Sequence, residues 1–152
     1  MGVHERLQQL GLRLPLAPTA EFLRVNLIDG LAFVSGHVPL ADGEFCDRGK
    51  IGREFYLSEG RRAAELAALG CLASLENSIG SLDAVRRIVK LNGYVNCEPE
   101  FDHLPRVTDA ASKLLVDLFG DSGRHARTTV GVASLPKGVA IEIELIAQFE
   151  RE

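Results

Sequence analysis

Apolar and polar residues recur along the chain with two distinct periods. Val3, Leu7 and Leu10 fall at helical spacing, and Gly11 stands where such a helix would stop. Leu23, Val25 and Leu27 then alternate with Arg24 and Asn26, which predicts a half-buried strand over residues 22–28. Asp29-Gly30 is a hairpin signal, and Leu31-Ala32-Phe33-Val34-Ser35-Gly36 is the returning strand. Residues 41–51, with Asp42-Gly43, Asp47, Gly49 and Lys50, read as a loop with several turns. Ser58 is placed to cap a long helix running to about Ile79. Its Ala63, Leu66, Ala67, Gly70, Ala73 and Ile79 share one side, and the small residues would let it lie close to a sheet.

A strand over residues 85–96 follows, and then a helix that opens at Pro105, carries Val107, Ala111, Leu114 and Leu118, and stops at Gly120. The last third reads as a hairpin, with residues 128–134 joined to 139–149 through Leu135-Pro136-Lys137-Gly138. In its second strand Val139, Ile141, Ile143, Leu145, Ala147 and Phe149 share one face. The opposite face carries Glu142, Glu144, Gln148 and Glu150, but also Ala140 and Ile146. This order, without repeat or linker, predicts one α+β sandwich domain over residues 1–152, with helices covering one face of the sheet. The other face is incompletely polar, a condition often met by oligomerisation.

Composition narrows the function classes. The 152 residues are 46% hydrophobic and 25% charged, which excludes a disordered or low-complexity chain. Lys and Arg number 17 against 21 Asp and Glu, so the net charge of -4 argues against a nucleic-acid partner. No apolar run approaches the roughly 20 residues of a membrane helix, and the N-terminus lacks the apolar core of a signal peptide. Cys46, Cys71 and Cys97 are widely spaced, which suits neither a disulfide framework nor a zinc cage. Reduced thiols imply a cytoplasmic location, and Cys71 reads as a small buried hydrophobe. The GxGxxG, GxxxxGK[ST], GxSxG and HExxH signatures are absent. Glu98, Glu100 and Asp102 beside His103 read as a solvated acidic loop, and no metal or other cofactor is expected.

Two residues stand out. Arg127 opens a strand after a glycine-flanked loop, where its fork is suited to a carboxylate or merely ends a strand. Glu142 lies within an otherwise apolar strand, either facing solvent or serving a site. Around them, Ala126-Arg127, Val130, Ala133, Leu135-Pro136-Lys137 and Ile141-Glu142-Ile143 closely resemble the C-terminal signature of the YjgF/Rid family of reactive-imine deaminases. Phe33-Val34-Ser35-Gly36-His37-Val38-Pro39 resembles the second-strand motif of that family. The resemblance spans residues 20–149 and implies a chorismate-mutase-like α+β fold, a mixed sheet under two helices, with an extra N-terminal helix here.

It further implies a homotrimer with clefts between subunits, where 2-imino acids are hydrolysed to 2-keto acids and ammonia. In that reading Arg127 holds a small carboxylate-bearing metabolite, Glu142 handles the proton or water, and Ser35-Gly36 line the pocket. The chain departs from the family pattern at Phe22, where a tyrosine is usual, and at Thr129, where a cysteine often stands. His125 and Thr128 also differ, and His125, alternating onto the side of Arg127, is expected at the cleft mouth. A non-catalytic carboxylate-binding module on the same fold is the alternative function, and RNA cleavage, from the endoribonuclease label of the family, a third. Finally, pairing Ser134 with Val139 would set Glu142 opposite Gly131 and leave Arg127 about 13 Å along its strand, so that one ligand would need two subunits.

Overall fold

A computed structural model describes residues 1–151. In chain order its elements are α1 (Val3–Gln9), β1 (Val25–Ile28), β2 (Leu31–His37), β3 (Leu40–Ala41), β4 (Glu44–Phe45), α2 (Leu57–Ile79), β5 (Val85–Asn96), α3 (Leu104–Phe119), β6 (Ala126–Val132) and β7 (Ile141–Phe149). Five strands form one mixed sheet in the order β1-β2-β7-β5-β6, and β3 pairs only with β4. The fold is the α+β sandwich expected, with α2 and α3 against one face. Its core is aliphatic, built on Leu72, Leu75, Leu91, Leu115, Ile141, Ile143 and Leu145. Cys71 lies in that core with its thiol against the Ile143 carbonyl, 3.3 Å away, and burial pushes its pKa up. Among the described residues no helix is long and apolar enough to cross a membrane.

Local signals account for most element ends. Asp29 (φ 49°) and Gly30 (φ 78°) both take the left-handed backbone of a two-residue hairpin, joining β1 to β2. Pro105 opens α3, and Gly120 (φ 62°) closes it. The α1 helix is docked by its buried Val3 and Leu7, with Arg6 donating to the Leu118 carbonyl and Asp83 accepting from the Val3 amide. Leu10, expected on that stripe, is 44% exposed.

Several boundaries differ from the expectation. The first strand begins at Val25 rather than residue 22, and Leu23 and Leu27 are exposed, because β1 is the edge strand of the sheet and only its Val25 is buried in the core. Ser58 is not the cap of α2; Tyr56 holds that position, and Glu59 accepts from its amide at 3.0 Å. Within the 41–51 loop, Asp42-Gly43 turns the short β3-β4 ribbon.

The largest correction concerns the final hairpin, which does not exist. β6 pairs with β5 in parallel, Arg127 opposite Leu91, while β7 lies antiparallel between β2 and β5. A parallel neighbour needs a crossover, and α3 supplies it between β5 and β6. The chain then passes from the sheet edge across the end of β5 before β7 begins. The loop around residues 47–50 holds that passage: Lys50 Nζ donates to the Ala133 carbonyl, Arg48 Nε to that of Lys137, and Gly49 N to that of Gly138. Ala140 donates to the Asp47 carbonyl and is fully buried, not part of an open face.

Candidate functional site

The motif Ser35-Gly36 is a β-bulge. Val34 pairs with Leu145 but His37 pairs with Ile143, so three steps along β2 answer two along β7. Three hydrogen bonds fix the bulge. His37 Nδ1 donates to the Ser35 carbonyl at 2.6 Å while its Nε2 accepts from Ser74 of α2 at 2.7 Å, and Ser35 Oγ donates to the Leu23 carbonyl at 2.7 Å. Burial keeps the His37 pKa below its ordinary value, which suits this neutral tautomer.

Gly36 lies against Glu142: a Cβ at position 36 would come within 2.3 Å of Glu142 Oε1. Because the obstacle is the end of a flexible side chain, Gly36→Ala is expected to move the carboxylate rather than unfold the protein. The Tm should stay nearly unchanged while the carboxylate shifts, and thermal melts beside a crystal structure of the variant check both. Glu142 is half-buried, and its pKa is raised by burial first and then by Glu144, with Arg24 pulling the other way. Arg24 donates to the Gly36 carbonyl at 3.3 Å, and its guanidinium stands 5.1 Å from the ring of Phe22, itself 61% exposed. Glu144 accepts from Tyr94 Oη at 2.5 Å and from Asn92 Nδ2 at 3.0 Å. The Glu144 bond, first, pushes the Tyr94 pKa up to about 12. A shallow cleft of about 280 Å³ opens beside this group, lined by Asn26, Phe33, Ser35, Asn92, Glu144 and Ile146.

Arg127 lies elsewhere. Its cross-strand partner Leu91 faces the helices, and so does Arg127, which donates to Asp109 Oδ1 at 2.8 Å and to Ser112 Oγ at 3.1 Å, both on α3. Thr129, two residues on, shares that face and is 2.6 Å from Thr108 of α3. Gly93 makes room for Thr108, whose methyl lies 2.4 Å from where a Cβ would stand. His125 is on the same side: Nδ1 donates to the Gly123 carbonyl at 2.6 Å, so Nε2, 2.9 Å from Ser112 Oγ, accepts. Its pKa is lowered by burial and, less, by Arg127, against the pull of the Gly123 bond.

The structure therefore gathers Ser35, Gly36, Phe22 and Glu142 at one place and Arg127, Thr129 and His125 at another. Glu142 pairs with Tyr94 and Tyr94 with Val130, on the open face, whereas Arg127 aligns with Leu91 and Leu145 on the helix face. Two strand spacings and three residues separate Arg127 from Glu142, about 14 Å on ordinary strand geometry, on opposite sides of the sheet. Sequence reasoning missed Arg24, Asn92, Tyr94, Asp109 and Ser112. Of these Arg24, Asn92 and Tyr94 carried a signal, their alternation with apolar neighbours. In the acidic loop Glu98 is paired with Arg53 at 2.7 Å, and Asp102 lies 3.4 Å from His103. Among the described residues no group of three metal-ligating side chains comes together.

The bulge, the arginine on a parallel edge strand and the glutamate of the central strand can be set against known proteins. Residues 4–149 match the family described as "YjgF/chorismate_mutase-like, putative endoribonuclease". The chain belongs to the YjgF/Rid family. It is 38% identical to protein TCP17 of Trypanosoma cruzi, over 97% of this chain and 94% of that protein. Among solved structures, Agrobacterium tumefaciens Atu1372, of unknown function, superposes with TM-score 0.93 at 38% identity, covering 97% of this chain and 92% of that one. A Shewanella oneidensis protein given the same endoribonuclease description superposes with TM-score 0.95 at 28% identity, covering 98% and 100%. Escherichia coli TdcF, solved with bound serine, shares the fold at 18% identity and TM-score 0.59, covering 89% and 93%.

Proposed function

We propose that this YjgF/Rid protein hydrolyses 2-imino acids to 2-keto acids and ammonia in clefts between the subunits of a homotrimer. The observation that carries the reading is a partly free arginine fork and, apart from it on the open face, a half-buried glutamate, each at its position in the family motif. Arg127 anchors the carboxylate. Glu142 takes a proton from the attacking water and returns it to the departing nitrogen, so imine plus water gives keto acid plus ammonia. The imine carbon is already electrophilic, so orientation and proton transfer are enough. The serine bound by TdcF supports a small amino-acid-like ligand. Apolar side chains on the open face, Ile28, Phe33 and Val130 among them, support association of subunits. A cytoplasmic setting for this reaction would suit the three free thiols.

A non-catalytic carboxylate-binding module is the second reading. It is favoured by Phe22, which has no hydroxyl to offer, and by Thr129, whose hydroxyl is taken up by Thr108. The test is ammonia release from imines generated in situ. The wild type is expected to accelerate it, and Arg127→Ala to lose about 10²-fold, the worth of a bidentate charged contact. Release unaffected by that substitution would sink the enzyme reading, and tight binding of a keto acid without turnover would favour the module.

A further inference from the structure

We infer that Asp109 makes the Arg127 guanidinium selective for zwitterionic carboxylates, ligands with a cationic amine or iminium nitrogen beside the acid group, over simple anions. The inference rests on the proposed role of Arg127 as the carboxylate anchor.

The guanidinium is clamped at one end only. Both hydrogens of Nη1 are spent, one on Asp109 Oδ1 at 2.8 Å and one on Ser112 Oγ at 3.1 Å. Ser112 is itself oriented, because His125, with its Nδ1 hydrogen on the Gly123 carbonyl, can only accept the Ser112 hydroxyl hydrogen. Among the described residues nothing accepts from Nε or Nη2 of Arg127, so the side-on fork remains for a ligand carboxylate.

Asp109 is not needed merely to hold the arginine in the fold. Its side chain is 51% exposed beside a guanidinium that is 23% exposed, and pairs this open to water add little to stability. What it does impose is charge. A fixed negative group next to the anchor weakens the attraction for a lone anion, and it complements a positive nitrogen held on the same small ligand. Arg127 and Asp109 thus present the two poles that a 2-amino or protonated 2-imino acid carries side by side. A 2-keto or 2-hydroxy acid carries only one, so the product of the proposed reaction would be bound more weakly than its substrate.

The test is calorimetric titration of the native protein with L-alanine and L-lactate, which differ only in the ammonium or hydroxyl at carbon 2. The wild type is expected to prefer alanine by about tenfold, a Coulombic contrast across several ångströms of partly screened space. Asp109→Asn should weaken alanine and strengthen lactate, cutting the preference about tenfold. Changes of opposite sign cannot come from damaged folding. Asp117→Asn, which removes an equal charge from the Lys113 pair further along α3, should leave the ratio unchanged. A wild type without preference, an Asp109→Asn ratio within twofold of wild type, or no detectable binding of either ligand overturns the inference. Arg127→Ala separates the two claims. If it abolishes both affinities while Asp109→Asn leaves their ratio alone, only the role of Asp109 fails, whereas full retention of both affinities in Arg127→Ala refutes the carboxylate anchor itself.

Discussion

Inactive Arg127→Ala and Glu142→Ala proteins, mixed, dissociated and reassembled, are expected to regain activity that neither has alone. The guanidinium of Arg127 is turned toward α3 on the edge strand β6, and the Glu142 carboxylate sits on the open face of β7 against Gly36. No side chain bends through a sheet, and a small 2-imino acid cannot span about 14 Å, so one subunit cannot offer both groups to one ligand. Edge strand β6 is free to meet a neighbour, and a closed ring of heterologous contacts would bring Arg127 of one subunit to Glu142 of the next. In random trimers from equal amounts of the two variants, about one quarter of the clefts would inherit both wild-type side chains, which sets the expected recovery. A molar mass measured by light scattering checks the trimer first. If reassembly is confirmed and no activity returns, both residues belong to one subunit's site, or one of them is not part of the site.

The order of elements and the core face of β7 were legible because each follows from a local period, and the β1-β2 turn because Asp29-Gly30 can adopt a backbone few pairs can. The fate of the last turn was not. Leu135-Pro136-Lys137-Gly138 announces that the chain reverses, but a reversal does not say which strand lies alongside, and here β5 stands between the two arms. The same limit hid the site. Alternation correctly places Thr129 and His125 on the side of Arg127, yet whether that side is the one Glu142 faces depends on pairing through β5. Nothing in the sequence singles out Asp109 and Ser112, because only the parallel crossover sets α3 over Arg127. The bulge at Ser35-Gly36 was recognisable as a motif and not as a bulge, since its extra residue exists only relative to β7.

Glu142→Gln is expected to abolish most turnover and at the same time to stabilise the protein at neutral and higher pH. Loss of a general acid-base group removes about 10²–10⁴-fold from the rate. The stability gain follows from linkage. Burial and, next, the neighbouring Glu144 raise the Glu142 pKa above its ordinary 4.5, so the folded protein holds this proton more readily than the unfolded chain. The contribution of Glu142 to stability is therefore fully present below pH 4.5 and is lost as pH rises through the folded pKa. Glutamine keeps the shape without the charge, and the Tm of the variant should exceed that of the wild type at pH 8, with the gap closing as pH falls toward 4. Glu144→Gln tests the second cause separately. It removes the like charge beside Glu142, so the acid limb of the pH-rate profile should move to lower pH, although the charged acceptor of Tyr94 and Asn92 is also lost. A Glu142→Gln protein no more stable than wild type at pH 8 would mean that the Glu142 carboxylate is solvated well enough to ionise normally, whereas an acid limb that stays in place in Glu144→Gln would remove only the contribution of Glu144 and leave burial as the cause.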